Sequence, residues 1–403
     1  MSNPIRDKTI LLAVSGSIAA YKAADLASKL KQAGAAVDVV LTASARQFIT
    51  PLTFQSVTGR KAYTDEDLWG GEGHVTHIGL GRAADLLVVA PASANTIAKL
   101  AYGLGDNLLS VAALAANCPL LIAPAMDGGM YSHPATQANL EILRQRGAII
   151  VGPAEGHLAS GLQGPGRMVE PLELLGHIRY WLGQQGPLAG KKIVVTAGGT
   201  REPIDPVRVI ANRSSGRQGY ALAQAALDAG AEVVLISGPT SLTSPVGARF
   251  VPIQTAAEML AAVQAECTQA DALLMAAAVA DFRPQQVAPQ KIKKDSGLKR
   301  IELEPTTDIL AAIAGQRRTG GYPRRVIGFA AESQELLQNA QAKLQAKHLD
   351  LIVANDVSSS EAGFEVETNQ VTLIYADGRT ETTPVLPKTE IAEVIIHQVI
   401  QWL

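Results

Sequence analysis

A group of side chains suited to anion chemistry lies at positions 197–219, where the sequence reads AGGTREPIDPVRVIANRSSGRQG. Gly198 and Gly199 permit a ligand to approach the backbone closely, because glycine has no side chain. Asn212 stands just before the start of a predicted helix, where it and the neighbouring N–H groups could donate to an oxyanion. The arginines of the group supply fixed positive charge suited to a polyphosphate: Arg201, Arg208, Arg213 and Arg217. An arginine-rich surface loop with a capped helix is the alternative.

A second basic segment, PQKIKKDSGLKR, spans positions 289–300. Its cations are Lys291, Lys293, Lys294, Lys299 and Arg300. Such a run is commonly a solvated face, but beside an arginine loop it is also typical of a flap that covers phosphates. Asp281 follows a predicted strand, where its carboxylate could hold Mg2+ or a ribose, or simply occupy a turn. Asn355 and Asp356 follow another predicted strand end.

In the first half, Ser15-Gly16-Ser17 follows a predicted strand and opens a predicted helix. The N–H groups at the start of a helix favour an anion, so a phosphate could bind there. The spacing offers Gly16 alone and lacks the dinucleotide fingerprint, so a mononucleotide fits better. An ordinary strand-to-helix turn remains the alternative.

Two further loops carry polar side chains at the carboxyl ends of predicted strands, where open parallel sheets bind ligands. One loop holds Ser93, Asn95 and Thr96, and the other holds Asp127 in PAMDGGMY. The same residue types often cap the helices that follow them, and that interpretation stays open.

Two histidines, His74 and His77, lie just ahead of a predicted strand without a metal-ligand pattern. A histidine there could act as an acid or base, although a loop histidine is often only solvated. The segment 156–168 holds too many glycines for regular structure and contains Arg167, so we expect a mobile flap over an anionic substrate, or a plain surface loop.

The elements that must position these residues alternate between short apolar strands and amphipathic helices, which predicts two doubly wound α/β domains with parallel sheets. The periodicity lapses in GQQGPLAG at 183–190, so we place the boundary between domains 1–185 and 186–403. Near the end, FEVETNQVTLIYADGR alternates as an added β-hairpin with a turn at Asn369 and Gln370, before a final helix over 388–402.

Composition excludes several classes of protein. The 35 basic and 37 acidic residues give a net charge of -2, which argues against nucleic-acid binding. No apolar run is long enough to span a membrane, and no leader with a cleavage site is recognisable. The two cysteines, Cys118 and Cys267, suit a reducing compartment. We therefore expect a soluble, unprocessed, cytoplasmic protein.

Four segments of the first half resemble, in this order, the flavin-containing cysteine decarboxylases, in particular phosphopantothenoylcysteine decarboxylase. They are SGSIAAYK, THIGLGRAADLLVVAPASANT, PAMDGGMY and GPGRM. The resemblance covers nearly all of residues 8–180. It implies FMN as the cofactor, His77 as the catalytic base, and substrate contacts from Asp127, Met130 and the flap with Arg167. The residues implied to hold FMN are Gly16, Ser17, Ser44, Ser93, Asn95 and Thr96.

The implied reaction makes chemical sense, because loss of CO2 leaves a carbanion that needs an electron sink, and a flavin can create one by oxidising the thiol-bearing carbon. His77 would accept a proton and Asp127 would orient the substrate carboxylate. Two positions depart from the pattern: many relatives carry Asn in place of Asp127 and a proton-donating Cys in place of Ser160. Since a hydroxyl is a weaker acid than a thiol, Ser160 puts the final protonation in question.

The second half resembles phosphopantothenate–cysteine ligase across nearly all of residues 190–403. The segments that carry this resemblance are TAGGTREPIDPVRVIANRSSG, AAVADF, KIKK, GFAAE and ANDVS. Both halves together resemble the bacterial bifunctional coenzyme A biosynthesis proteins. The resemblance implies that 4'-phosphopantothenate is activated by CTP and Mg2+ to an acyl-cytidylate, which L-cysteine then attacks. Asn212 would stabilise the acyl intermediate, Lys291 the triphosphate, and Asp281 the nucleotide or metal. The remaining implied substrate contacts are Arg208, Ala277, Lys293 and Phe329.

The resemblance also implies a homo-oligomer, with trimers of the first domain, extended to a dodecamer, and dimers of the second. Other functions stay open. A flavin-binding regulatory protein without turnover is one, a flavin prenyltransferase is disfavoured by His77 and PAMD, and an NAD-dependent reductase is the weakest rival.

Overall fold

The computed structural model describes residues 3–69, 75–293, 300–332, 336–356 and 367–403. The chain divides into two compact units, Ser2–Leu182 and Gly183–Leu403. Within the described residues, every helix is too short or too polar to cross a lipid bilayer.

The strands of the first unit's main sheet are β1 (Thr9–Val14), β2 (Ala36–Leu41), β3 (Ala62–Tyr63), β4 (Leu86–Ala92), β5 (Leu120–Pro124) and β6 (Ile149–Ile150). They pair in parallel in the order β3-β2-β1-β4-β5-β6. This is a doubly wound order whose direction reverses between β1 and β4, so the predicted α/β class is confirmed. Every residue of β4 is buried, because helices cover both faces of a parallel sheet.

The helices of this unit are α1 (Ala20–Gln32), α2 (Pro51–Thr58), α3 (Thr76–Ala83), α4 (Ala94–Tyr102), α5 (Leu108–Ala115), α6 (Gly128–Ser132), α7 (Pro134–Gln145) and α8 (Pro171–Gly183). Alternate residues of β1 enter two separate cores. Ile10 and Leu12 pack on one face of the sheet, and Leu11 packs on the other. In α1, Ala23, Leu26 and Leu30 repeat with the helical period and fill the first core.

Residues 154–167 form a two-stranded antiparallel hairpin of β7 (Ala154–His157) and β8 (Gln163–Arg167). The expectation that 156–168 lacks regular structure is therefore wrong. Gly166, whose φ is 148°, lets the hairpin pack closely against the loop after β5, because a Cβ there would lie 2.2 Å from the carbonyl oxygen of Met126. We use the name flap hairpin for residues 154–167.

The strands of the second unit are β9 (Lys192–Ala197), β10 (Arg201–Pro203), β11 (Val209–Ala211), β12 (Glu232–Ser237), β13 (Arg249–Pro252), β14 (Ala272–Met275), β15 (Phe282–Pro284), β16 (Leu303–Pro305), β17 (Arg325–Glu332), β18 (Leu351–Asp356), β19 (Thr368–Asn369), β20 (Val371–Tyr375), β21 (Thr380–Thr382) and β22 (Leu386–Pro387). The main sheet has the order β13-β12-β9-β14-β17-β18-β20-β21. Pairing is parallel from β13 to β18 and antiparallel beyond it. The order in which successive strands are added reverses between β9 and β14, as it does in the first sheet between β1 and β4.

The added hairpin exists, but its predicted turn is wrong. Asn369 and Gln370 precede β20, whereas the chain reverses between β20 and β21 at Asp377-Gly378, where Tyr375 N–H donates to the carbonyl of Arg379 at 2.9 Å. Gly378 has a φ of 90°, a conformation that glycine adopts without strain.

The helices of the second unit are α9 (Arg217–Asp228), α10 (Ala256–Glu266), α11 (Ile309–Gly320), α12 (Leu336–Ala346) and α13 (Lys388–Trp402). A core of residues from β12, β14 and β18 packs against α10 to α12 and includes Cys267. Cys118 and Cys267 are both free, and burial raises the pKa of each thiol, to about 12 for Cys267. Neither cysteine is poised as a nucleophile at neutral pH.

Candidate functional site

The first candidate site lies where the strand order of the first sheet reverses. Ser15, at the end of β1, is buried, and its hydroxyl donates to the carbonyl of Pro91 at 2.7 Å. The same hydroxyl oxygen accepts from Ser93 N–H at 2.8 Å. One side chain therefore joins the ends of β1 and β4. The sequence placed Ser15 in the turn without assigning it this bridging role.

The residues predicted to hold a phosphate gather at this edge of the sheet. Gly16 crosses so close to Ser44 that an added Cβ would lie 2.5 Å from the Ser44 Cβ. Ser17 precedes α1, and its hydroxyl accepts from Ala19 N–H at 3.3 Å. Ser44 is exposed, whereas Gly16 and Ser17 are half-buried. The turn thus brings a glycine and two hydroxyls to the start of α1.

The loop after β4 combines the two interpretations that its sequence left open. Ser93 caps α4, because its hydroxyl accepts from Thr96 N–H at 3.3 Å. Thr96 is buried, with its Oγ1 3.2 Å from the Ser93 hydroxyl, whereas Asn95 is exposed at the first turn of α4. A ligand at this edge would meet Asn95 directly.

His77 lies in the first turn of α3 and not in a loop, so that expectation is corrected. The ring is half-buried, and its Nδ1 atom is buried without a hydrogen-bond partner among the described residues. A buried polar atom of this kind commonly awaits a ligand or water. His74 lies outside the described residues.

Asp127 and Ser160, the two positions that depart from the decarboxylase pattern, contact each other. The Ser160 hydroxyl donates to Asp127 Oδ2 at 2.5 Å, and Gly129 N–H donates to Asp127 Oδ1 at 3.0 Å. These two hydrogen bonds, that from Ser160 foremost, lower the pKa of the Asp127 carboxyl. Asp127 is therefore an ionised carboxylate at neutral pH, joined to the tip of the flap hairpin.

The base of the flap hairpin is fixed by a buried lysine that the sequence analysis missed. Lys22 of α1 donates from Nζ to the carbonyl of Met168 at 2.9 Å and to Glu170 Oε1 at 2.8 Å. Arg167 also reaches Glu170, at 3.4 Å, and its side chain remains about two-fifths exposed. Met130 is exposed on α6, a helix that contacts β8 of the flap hairpin. The hairpin is thus held at both ends.

The second candidate site lies at the corresponding reversal between β9 and β14. Thr196 and Thr200 are fully buried there. Thr196 Oγ1 accepts from Ala277 N–H at 3.1 Å, and Thr200 Oγ1 accepts from Ala280 N–H at 2.9 Å. The two strand ends are therefore held together by threonine hydroxyls and by a backbone bridge between Gly199 and Ala278.

A cavity of about 850 Å3 opens beside these strand ends. Residues that the sequence singled out line it: Asn212, Arg213, Arg217, Ala277, Asp281, Phe329 and Asn355. Asn212 is held by a hydrogen bond of 2.9 Å from its Nδ2 atom to the carbonyl of Val279. The lining residues that had no predicted role include Lys343, Lys347 and Lys388.

Lys343 and Lys347 stand four positions apart at the end of α12, so they share one helix face. Lys347 pairs with Asp308 at 3.0 Å, and Asp308 caps α11. Burial opposes ionisation of Asp308, but hydrogen bonds from Ala311 N–H and Lys347 outweigh it and lower its pKa. The i, i+4 spacing of two lysines was the signal available in the sequence.

Three predicted contacts stand apart from the cavity lining. Arg208, Lys291 and Lys293 are exposed, and Arg208 forms an ion pair with buried Asp205. Lys291 and Lys293 flank Ile292, whose backbone bonds to that ion pair. Lys294 and Lys299 lie outside the described residues.

Two family models divide the chain between them. The Flavoprotein model matches residues 1–183, and the model for the DNA/pantothenate metabolism flavoprotein C-terminal domain matches residues 188–403. The coenzyme A biosynthesis bifunctional protein CoaBC of Bacillus subtilis (strain 168) is 44% identical over 398 residues, which cover 98% of this chain and 97% of that protein. The chain belongs to the CoaBC family.

Other CoaBC proteins are similarly close. That of Vibrio cholerae serotype O1 is 45% identical over 392 residues, covering 97% of each chain. A crystal structure of the C-terminal domain of a CoaBC protein is 39% identical, covers 54% of this chain and 98% of its own, and has a TM-score of 0.46. The two candidate sites of this CoaBC chain fall in the two segments that the family models match separately.

The first site has the donor set that a flavin phosphate needs. The crowded glycine turn at Gly16 leaves room only for backbone, and the N–H groups of Gly16 and Ser17 have no protein acceptor within the described part of the chain. His77, in the same unit, has an unpartnered Nδ1 atom that could form a hydrogen bond to a ligand. These residues fit a flavin mononucleotide.

The second site offers little to a metal ion on its own. Across the residues that the structure describes, no three His, Cys, Asp or Glu side chains group as a metal site. Two exposed carboxylates lie on the cavity wall, Asp281 and Asp308, and Asp308 is already paired with Lys347. This arrangement fits Mg2+ only where nucleotide phosphates supply most of the ligands.

Proposed function

We propose that this CoaBC chain carries out two consecutive steps of coenzyme A biosynthesis. The second unit ligates L-cysteine to 4'-phosphopantothenate with CTP, and the first unit decarboxylates the product, 4'-phosphopantothenoylcysteine, to 4'-phosphopantetheine. The observation that carries this proposal is the presence, in one chain of the family, of two separate strand-reversal sites: one with neutral donors, one with a cation-lined cavity.

In the ligase step, a carboxylate oxygen of 4'-phosphopantothenate attacks the α-phosphorus of CTP and pyrophosphate leaves. The amine of cysteine then attacks the acyl carbon, and CMP leaves. Lys343 and Lys347 line the cavity and supply positive charge where the leaving pyrophosphate gathers negative charge. Asn212 is oriented by Val279 and keeps its second Nδ2 proton for the acyl oxygen.

In the decarboxylase step, the turn at Gly16 and Ser17 and the exposed Asn95 and Ser44 would hold FMN. A bound FMN supplies the electron sink that loss of the cysteinyl carboxylate requires. His77 has an unpartnered imidazole nitrogen with which to accept or return a proton. Asp127 is held ionised, so it accepts hydrogen bonds from substrate donors and would repel a substrate carboxylate.

The Ser160 hydroxyl is committed to Asp127, which disfavours it as the final proton donor. We assign it instead to docking the flap hairpin. Mg2+ would be held mainly by CTP with help from Asp281, and the protein would act in the cytoplasm as a homo-oligomer built from trimers of the first unit and dimers of the second.

The test is a complete reaction with purified full-length protein, CTP, Mg2+, 4'-phosphopantothenate and cysteine. We expect stoichiometric CMP and pyrophosphate, then CO2 and 4'-phosphopantetheine. Replacing CTP by ATP should lower the ligation rate. A preparation that releases CO2 from authentic 4'-phosphopantothenoylcysteine but forms no CMP would refute the ligase assignment alone.

Two variants localise the ligase chemistry. Lys343→Met should lower kcat/KM for ligation by roughly 10- to 100-fold, because a cation that stabilises the leaving pyrophosphate is lost. Arg318→Met, on the exposed surface of α11 and away from the cavity lining, is the matched control and should leave ligation unchanged. Equal losses in both variants would contradict the placement of CTP in the cavity.

A further inference from the structure

The turn between β10 and β11 is organised around one buried carboxylate. The side chain of Asp205 has 0% exposure. Its Oδ1 atom accepts from the N–H groups of Val207 at 2.8 Å and Arg208 at 2.9 Å. Its Oδ2 atom accepts from Arg208 Nε at 2.9 Å and from Ile292 N–H at 3.2 Å. The Arg208 hydrogen bonds, foremost among these contacts, hold the pKa of Asp205 far below its ordinary value.

Asp205 and Arg208 together hold the backbone of Ile292 from both sides. The N–H of Ile292 donates to Asp205, and its carbonyl accepts from an Arg208 guanidinium nitrogen at 2.9 Å. A third hydrogen bond, from Ala288 N–H to the carbonyl of Ile204 at 3.0 Å, docks the preceding residues on the same turn. A segment more than 80 residues away in sequence is thus fixed to the β10–β11 turn.

The fixed residue lies between the two lysines Lys291 and Lys293. Both have exposed side chains, and the segment that carries them leaves β15, which begins beside Asp281 on the cavity wall. A flexible lysine binds phosphate less effectively when its backbone must also be ordered at the moment of binding. A pinned backbone removes that cost and limits where the two ammonium groups can reach.

We infer that Asp205 is a positioning residue of the ligase, which acts with Arg208 through the backbone of Ile292 to hold Lys291 and Lys293 for the triphosphate of the nucleotide. The inference rests on the ligase function proposed above, and it adds that Lys291 and Lys293 neutralise the triphosphate of CTP, the role that the resemblance of KIKK to the ligase implies for Lys291. In this arrangement Arg208 contributes through the segment it anchors and not by binding phosphate directly.

The experiment uses full-length protein carrying Asp205→Asn, with CTP as the varied substrate. The amide keeps the size of the side chain but weakens its hold on Arg208 and Ile292. We expect kcat/KM for CTP to fall by roughly 10- to 100-fold, the scale of a displaced substrate-positioning group. Decarboxylation of supplied 4'-phosphopantothenoylcysteine by the same sample should be unchanged, which reports a folded first unit.

A mutant cycle separates positioning from a merely structural role. Lys291→Ala combined with Lys293→Ala should lower CTP-dependent ligation, and adding Asp205→Asn to that variant should then cause little further loss. The inference would be overturned if the loss of ligation caused by Asp205→Asn multiplied with that of the double lysine variant. Unchanged CTP kinetics in Asp205→Asn would also overturn it. Absence of ligation in the unmodified protein would instead refute the proposed function, so the two failures are distinguishable.

Trypsin cleavage provides a readout that does not depend on activity. Cleavage after Lys291 should be slow in the unmodified protein and several times faster in Asp205→Asn, because the Ile292 backbone is released. If Asp205→Asn does not fold, Arg208→Lys is the second variant, since it retains both N–H bonds of the turn but loses the guanidinium bond to the Ile292 carbonyl. Equal cleavage rates in Arg208→Lys and the unmodified protein would contradict the inference.

Discussion

The two strand-reversal sites of this chain share a strand order but differ in what they present to a ligand. At the first, a serine hydroxyl joins the ends of β1 and β4, and the surrounding donors are neutral N–H groups and hydroxyls. At the second, threonine hydroxyls join the ends of β9 and β14, and lysines and arginines line the cavity. In both sites a buried hydroxyl group joins two strand ends, but the side chains around the second site are positively charged and those around the first are neutral.

The difference matches the charge of the proposed ligands. A flavin monophosphate carries about two negative charges and stays bound throughout turnover, so helix N–H groups suffice to hold it. A nucleoside triphosphate carries more charge and releases pyrophosphate, so cations must stabilise charge that grows during the reaction. The same backbone therefore serves two chemistries because side chains on the strand-end loops differ.

The largest expected effect is that of a substitution at His77, which should slow decarboxylation and leave ligation unchanged. His77→Asn should lower CO2 release by about 100- to 10,000-fold, the usual contribution of a general acid or base. Asparagine retains polarity at the half-buried position but has no titratable nitrogen. CO2 release from 4'-phosphopantothenoylcysteine and CMP formation are measured on the same sample.

CMP formation serves as the control, and it should be unaffected because His77 belongs to the first unit. Retention of flavin in the variant, read from its visible spectrum, shows that the cofactor site is intact. A His77→Asn protein that binds flavin and decarboxylates at the normal rate would exclude His77 from the reaction.

The sequence predicted the sheets of this chain better than their edges. Buried strands such as β4 and β14 are continuous apolar runs, which periodicity detects directly. The edge strands β3 and β13 were not predicted, because β3 has only two residues and β13 is largely exposed and lacks an apolar run. The turn at Asp377-Gly378 was misplaced to Asn369-Gln370, although Asp-Gly is the stronger hairpin signal.

Site residues were predictable where one loop carries them, and less so where distant segments meet. Asp127 and Ser160 were identified separately, but their contact depends on how the flap hairpin docks 33 residues away. Asp205 reads as an ordinary turn residue before proline, because its bond to Ile292 spans 87 positions. Lys22 shows no sign in the sequence that it would be buried.

A second prediction compares the two hydroxyl groups that join strand ends, that of Ser15 in the first site and that of Thr200 in the second. Ser15→Ala leaves the Ser93 N–H unpaired, while the Pro91 carbonyl loses the hydroxyl but still accepts from the backbone N–H of residue 15 at 3.2 Å, so the change should cost about 1 to 2 kcal/mol of unfolding free energy. Thr200→Val leaves one N–H unpaired, that of Ala280, and should cost about 1 kcal/mol. Flavin retention and CTP-dependent ligation report the two sites separately.

Ser15→Ala should weaken flavin retention and spare ligation, while Thr200→Val should weaken ligation and spare flavin. Each variant is therefore the other's control. Loss of both functions in either variant would mean that the bridges stabilise the whole chain and not one site each.

The smallest effect concerns acid stability of the flap hairpin. The hydrogen bond from Ser160 is the main cause that lowers the Asp127 pKa, so the folded pKa lies below the unfolded one. The stabilisation is therefore present at neutral pH and lost as the pH falls through the folded pKa. In Ser160→Ala the Asp127 pKa should rise toward its ordinary value, and less stability should be lost on acidification. Carboxyl NMR titration and hydrogen exchange of residues 154–167 measure both changes. Ser160→Cys, which keeps a weaker donor, should fall between the two, and an Asp127 pKa identical in all three proteins would show that the contact with Ser160 does not govern its ionisation.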